Sequence, residues 1–265
     1  MDIEALLAAR TDTERVERLY QMFDEDSRLN GSPSARVEFL TTMRYIEKYL
    51  TPGCRILDVG AGTGAYSLAL AGQGYAVTAV ELAEANLEVF RRKLRPGLDI
   101  ALHQGNALDL SAFADGSFDL VLVLGPLYHL RQPADRARCV AEALRVCKPG
   151  GVLLFAFLGN DMVILTELVR DPAYLLSGDY DHESFRLEDF PFVFTTPDKA
   201  RALLESGGVQ LLHQVAADGM AELLAPTIDA LDEESYRQYL RYHFYTCEKP
   251  ELFGHSNHLL FVGRK

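Results

Sequence analysis

At 265 residues, 48% of them hydrophobic, the chain can bury a sizeable core, as one large domain or two small ones. Its 26 basic against 38 acidic side chains leave a net charge of −12, which argues against a dominant affinity for nucleic acid or an anionic membrane. Cys54, Cys139, Cys147 and Cys247 show no CxxC pairing, so neither a disulfide framework nor a structural zinc site is indicated and a reducing compartment fits.

The acidic start Met1-Asp2-Ile3-Glu4 is not followed by a long apolar run, so the expectation is a cytoplasmic protein without signal peptide or membrane span. From Ile3 to about Asp24 apolar residues, among them Leu6, Leu7, Val16, Leu19 and Phe23, recur at helical spacing, and Asn30-Gly31-Ser32-Pro33 breaks the pattern. A second helix runs from about Ser34 to Leu50 and ends at Thr51-Pro52-Gly53. Strands near 55–60, 76–81, 99–104, 118–124 and 151–158 then alternate with helices. Their continuous apolar runs predict a parallel sheet covered on both faces.

After Leu158 the alternation stops for almost forty residues, through a helix-like run Met162–Val169 and the acidic Gly178-Asp179-Tyr180-Asp181-His182-Glu183. A segment this long beside a ligand edge reads as a lid. A helix begins at Thr196-Pro197-Asp198 and stops at Ser206-Gly207-Gly208, and the strand Val209–Val215 follows. A further insertion carries a helix Glu233–Cys247 with Tyr236, Tyr239, Tyr242, Phe244 and Tyr245, which pack as core or wall a pocket. His258–Gly263 closes the chain as a strand.

The run Arg55-Ile56-Leu57-Asp58-Val59-Gly60-Ala61-Gly62-Thr63-Gly64, followed by Ala65–Leu70 at helical spacing, is strand, tight turn and helix. Alternate glycines let the backbone turn sharply and approach a ligand, with the N–H groups of the next helix facing the turn. Taken alone, the pattern with Glu81 twenty-one residues after Gly60 also suits a dinucleotide.

Five ordered matches separate these readings. Asp58-x-Gly60-x-Gly62-x-Gly64 resembles motif I of the class I S-adenosylmethionine-dependent methyltransferases, and Glu81 resembles that family's ribose-binding acid. Gly105-Asn106-Ala107-Leu108-Asp109 is similar to its loop beside adenine, Phe118–Leu124 to its motif IV, and Leu144–Gly151 to its helix, proline-glycine turn and fifth strand. The resemblance implies a Rossmann-like α/β fold with a seven-stranded, mostly parallel sheet in the order 3-2-1-4-5-7-6. It implies one domain over 1–265, with residues 1–50 as helical cover and insertions 159–196 and 217–254 over the acceptor side.

It further implies that Asp58, Gly60, Ala61, Gly62 and Gly64 hold the methionine and ribose part of S-adenosylmethionine. Glu81 takes the ribose hydroxyls, Leu82, Asn106 and Ala107 meet adenine, and Leu124 offers backbone near the sulfonium, with S-adenosylhomocysteine as product. Tyr20, Tyr66 and Tyr128 are placed to face the cation. His129, beside Tyr128, is the candidate proton acceptor.

Amino-methylating DNA enzymes carry Asn/Asp-Pro-Pro-Tyr/Phe where this chain has Leu124-Gly125-Pro126-Leu127, so a small-molecule acceptor is expected, methylated at oxygen or nitrogen. The acidic residues Asp179, Asp181, Glu183, Glu188 and Asp189 either select a cationic acceptor or are solvated. His243, Cys247, His255 and His258 do not form a metal site by spacing, and no metal is expected. A nicotinamide oxidoreductase using the same turn and a non-catalytic S-adenosylmethionine-binding protein remain as alternatives, and the oligomeric state is open.

Overall fold

The computed structural model describes residues 3–265, with the side chains of Ile3 and Ala5 left out. Met1 and Asp2 of the acidic start therefore lie outside the described residues. The single N-terminal helix expected from periodicity is three: α1 (Ile3–Leu7), α2 (Asp12–Met22) and α3 (Glu25–Arg28). Thr11 is extended and its side chain accepts from the Glu14 N–H, while Asp24 accepts from the Asp26 N–H. Each cap satisfies amide donors that a continuous helix would have bonded itself, so the breaks fall there. Ser32 caps α4 (Pro33–Glu47) in the same way, with proline in the first turn.

The alternating part runs β1 (Arg55–Val59), α5 (Ala65–Gly72), β2 (Ala76–Glu81), α6 (Glu84–Lys93), β3 (Ile100–Gln104), β4 (Phe118–Val123), α7 (Pro133–Val146) and β5 (Cys147–Gly159). Then come α8 (Asn160–Arg170), β6 (Phe194–Thr195), α9 (Pro197–Ser206), β7 (Gln210–Ala216), α10 (Ala225–Ile228), α11 (Glu233–Thr246), α12 (Pro250–Phe253) and β8 (His258–Arg264).

The sheet order is β3-β2-β1-β4-β5-β8-β7, with β8 antiparallel to both neighbours and β6 paired to β5. The order is the expected one once β6 is set aside; the strand count is eight rather than seven. The eighth strand exists because β5 outruns β4: β4 ends opposite Phe155, and Phe194–Thr195 pairs in parallel with Leu158 and Gly159 beyond it. β5 also starts earlier than expected, at Cys147 opposite Phe118, and a register shift before Leu120 absorbs Pro149 and Gly150.

One apolar cluster reaches from Leu29 to Val262 and contains the whole centre of the sheet. The α11 tyrosines stand apart from it. Tyr236 and Tyr239 pack with Val37 of α4 and with Ala221 and Ile228, whereas Tyr242 and Tyr245 are exposed. None of them lines either of the two cavities described below, and Tyr236 and Tyr239 serve as packing. No helix of the described residues is long and apolar enough to cross a membrane.

Candidate functional site

Strand register decides where the motifs meet. Val59 lies opposite Val80 on one side and Val123 on the other, and Val80 lies opposite His103. The residues just past that line, Gly60, Glu81, Gly105 and Leu124, therefore leave the sheet side by side at its carboxyl edge. All four line one cavity of about 390 Å³, with Asp58, Ala61, Gly62, Leu82, Asn106 and Ala107.

Within the glycine turn, each residue has its own reason. A Cβ on Gly60 would sit 2.7 Å from Pro126 Cδ, and one on Gly64 2.5 Å from the Phe90 ring, both at positive φ. Gly62 has room apart from Glu25, whose Cγ is at 3.4 Å. Gly64 is thus required by the packing of α5 on α6, and its neighbours Thr63 and Ala65, not Gly64 itself, line the cavity. Nothing in a repeating glycine pattern distinguishes a helix-packing glycine from one that faces a ligand.

The cavity floor holds buried carboxylates. Glu81 accepts from the amides of Gly62 and Ala83, each at 2.8 Å, and from the Asn86 side chain. Asp58 accepts from the Ser67 hydroxyl at 2.7 Å, tying the strand to the first turn of α5. Burial pushes Asp58 up to about 6, with the Glu81 charge adding to it against the Ser67 hydrogen bonds. Burial likewise raises Glu81 and Glu25. Three carboxylates held against their desolvation suit a ligand that brings positive charge.

The cover is fastened to this edge by specific bonds. Arg15 donates to the His129 carbonyl at 2.6 Å, Asp12 receives both the amide and the Nε of Arg131, and Asp26 receives Thr63 Oγ1 and Lys93 Nζ. Asn106 donates to Thr13, and its Oδ1 accepts from the Leu108 amide.

Tyr20, Tyr128 and His129 meet along one side of the cavity. Tyr20 Oη is 2.9 Å from His129 Nε2, and Tyr128 donates to the Leu124 carbonyl at 2.9 Å. His129, the residue expected to take a proton, is a poor acceptor here, and Tyr128 keeps its phenol proton. Burial, with the Arg15 charge beside it, pushes His129 down to about 3, and burial pushes the Tyr128 phenol above its ordinary range. Tyr128 and His129 form an aromatic wall with Phe192 instead. Tyr66 also lines the cavity and stacks on Phe39.

A second cavity of about 620 Å³ adjoins the first and shares Tyr20, Glu25, Arg28 and Tyr128 with it. Both insertions line it: Val163, Tyr174, Phe192 and Phe194 from one, Asp218, Glu222 and Ala225 from the other. Of the acidic loop, only Asp179 and Glu188 reach it; Asp181 caps the Glu183-Ser184 turn and Asp189 pairs with Arg186. Across its wall runs a chain of charges. Arg28 bonds Glu25 at 2.9 Å and Glu38 at 2.7 Å, and His258 lies 3.5 Å from Glu38 and 2.9 Å from Asp218. These five residues were not singled out from the sequence as site residues: they come from α3, α4, the segment after β7 and β8, and no local spacing joins them. Among the described residues no cluster suits a metal ion; His243 bonds Thr41 and Cys247 contacts Tyr45.

Residues 57–155 match a family described as a methyltransferase domain. The chain is 30% identical over 175 residues to the ubiquinone biosynthesis O-methyltransferase of Xanthomonas axonopodis pv. citri, covering 64% of this chain and 68% of that one. It is 41% identical over 105 residues to the demethylmenaquinone methyltransferase of Renibacterium salmoninarum, 40% of this chain and 41% of the relative. The chain spans about half the length of most of the curated relatives it matches. A solved S-adenosylmethionine-dependent methyltransferase from Methanosarcina mazei superimposes with a TM-score of 0.55 at 23% identity, over 83% of this chain and 96% of that one.

Proposed function

We propose that this chain, which belongs to the class I S-adenosylmethionine-dependent methyltransferases, binds S-adenosylmethionine in the first cavity and methylates a small molecule held in the second. The observation that carries this reading is the pair of adjoining chambers: the motif residues of four strand ends line one, and the two insertions line the other. Its relatives named for ubiquinone and menaquinone biosynthesis support a small organic acceptor. We read residues 1–265 as one domain, the N-terminal helices as cover and both insertions as acceptor-side walls.

The residues present fit the cofactor. Glu81 has both oxygens oriented by backbone amides, with Oε2 keeping an acceptor position for a ribose hydroxyl, and the buried carboxylates Glu25, Asp58 and Glu81 offset ammonium and sulfonium charge. Leu82, Asn106 and Ala107 lie beside Glu81 along the edge, where the adenine would follow the ribose. Gly60, Ala61 and Gly62 leave backbone open to the amino-acid part, and Leu124 presents its carbonyl at the boundary with Tyr128.

When bound, the cofactor supplies an activated methyl group for in-line displacement, and most of the acceleration comes from holding the acceptor opposite the sulfur. Tyr20 and Tyr128, shared by the chambers, orient the two ligands and offer aromatic faces to a cation. The test is a coupled assay for S-adenosylhomocysteine with catechols, quinols and amines as acceptors. Product that forms only when an acceptor is present supports the reading. Cofactor binding with no turnover across that panel would favour a non-catalytic binding protein.

A further inference from the structure

We propose that His258, oriented by Asp218, receives the proton of an acidic hydroxyl on the acceptor, so that the acceptor is a phenol, catechol or enol and the methyl group goes to oxygen. The inference rests on the assignment of the second cavity to the acceptor.

The geometry is that of a carboxylate-histidine pair aimed into a chamber. Asp218 Oδ2 lies 2.9 Å from His258 Nδ1. Its other oxygen accepts from the His258 amide at 3.1 Å and from the Ser256 hydroxyl, so the carboxylate cannot swing away. The Ser256 hydroxyl is in turn fixed by the Gly219 amide at 2.9 Å. A proton held on Nδ1 by Asp218 leaves Nε2 as the basic nitrogen. Nε2 has no hydrogen-bond partner among the described residues, and the ring lines the second cavity. Phe192, Phe194 and Tyr174 line the same chamber, faces suited to a planar ring.

The step balances without a further reactant. The acceptor O–H bond breaks with its proton going to His258 Nε2, an oxygen lone pair forms the bond to the methyl carbon, and the carbon–sulfur pair stays on sulfur as a neutral thioether. The imidazolium so formed sits against Asp218 and Glu38. The imidazolium N–H so formed hydrogen-bonds the phenolate oxygen, which suits a hydroxyl acidic enough to give up its proton before attack.

The groups facing His258 are Asp218 from the segment after β7, Glu38 from α4, and Glu25 and Arg28 from α3. Burial and Arg28 oppose its charge, but the two carboxylates prevail and hold it up to about 9. The neutral form is the acceptor, so turnover rises about tenfold per pH unit below that value and levels off above it.

The experiment uses 4-nitrocatechol, whose ionised form is coloured, bound to the full-length protein saturated with S-adenosylhomocysteine. The bound probe is expected to ionise at a pH about one unit below the free probe. His258→Gln is expected to abolish that difference without changing affinity for S-adenosylhomocysteine, and Asp218→Asn to reduce it. If His258→Gln does not fold, the wild type and Asp218→Asn decide. A probe that binds with unaltered ionisation, or keeps its shift in the folded variant, overturns the role of His258. A probe that does not bind overturns the acceptor class. Failure of S-adenosylhomocysteine itself to bind overturns instead the functional reading beneath.

Discussion

Asp58→Asn should stabilise the ligand-free protein while weakening its hold on S-adenosylmethionine. The carboxyl group is 1% exposed and pushed up to about 6 from the 3.8 of a free aspartate. Keeping it charged at neutral pH therefore costs roughly 3 kcal/mol relative to the unfolded chain. The sign follows from the direction of the shift. A carboxyl raised on folding contributes stability that is complete below pH 4 and lost as the pH rises through about 6. Asparagine carries no charge and keeps an oxygen for the Ser67 hydroxyl, but its amide opposes the second Ser67 donor at a cost of about 1 kcal/mol. The net gain of about 2 kcal/mol corresponds to a rise of about 4–8 °C in melting temperature. Thermal melting at pH 7.5 and pH 5 without ligand reads both effects: the variant melts higher at pH 7.5, and the wild type gains stability on acidification through a group the variant lacks. Calorimetry then gives about tenfold weaker binding of S-adenosylmethionine. An Asp58→Asn protein that melts lower than wild type at pH 7.5 would refute the reasoning that the charge is held at a cost for a cation.

Gly64→Ala places a Cβ 2.5 Å from the Phe90 ring at φ +87, so a loss of about 4 kcal/mol is expected in denaturant unfolding. Gly62→Ala, with 3.4 Å to the nearest atom, should fold and lose cofactor affinity instead. Glu81→Ala should weaken S-adenosylhomocysteine by about thirtyfold, through the loss of two charge-assisted hydrogen bonds, with some loss of stability from the stranded Gly62 and Ala83 amides. His129→Phe should leave the pH profile of turnover unchanged between pH 6 and 9, because an imidazole held near 3 does not titrate there; an inflection that disappears in the variant would restore His129 as a base.

The carboxyl edge of the sheet, where the motifs meet, was legible because its signals are local. Apolar runs such as Leu120–Val123 are buried on both faces of the sheet, and the glycine turn and Glu81 each lie at the end of one of them. What escaped depends on partners distant in the chain. Thr11 and Asp24 cap short helices inside a periodic stretch, and capping was outvoted by the spacing of Val16, Leu19 and Phe23. β6 forms only because β5 runs past β4, a length difference that no local pattern states. Asp218 and His258 are forty residues apart, and His258 read most naturally as a failed metal ligand with His255. His129 looked like a base because it follows the fourth strand, but its burial under the Arg15 side chain of α2 is a tertiary fact.

The central claim is tested most directly by titrating the purified protein calorimetrically with S-adenosylmethionine, S-adenosylhomocysteine and NAD. Micromolar binding of both sulfur nucleosides, with no heat from NAD, is the predicted result. Binding of NAD alone would contradict the assignment of the glycine turn and Glu81 to S-adenosylmethionine.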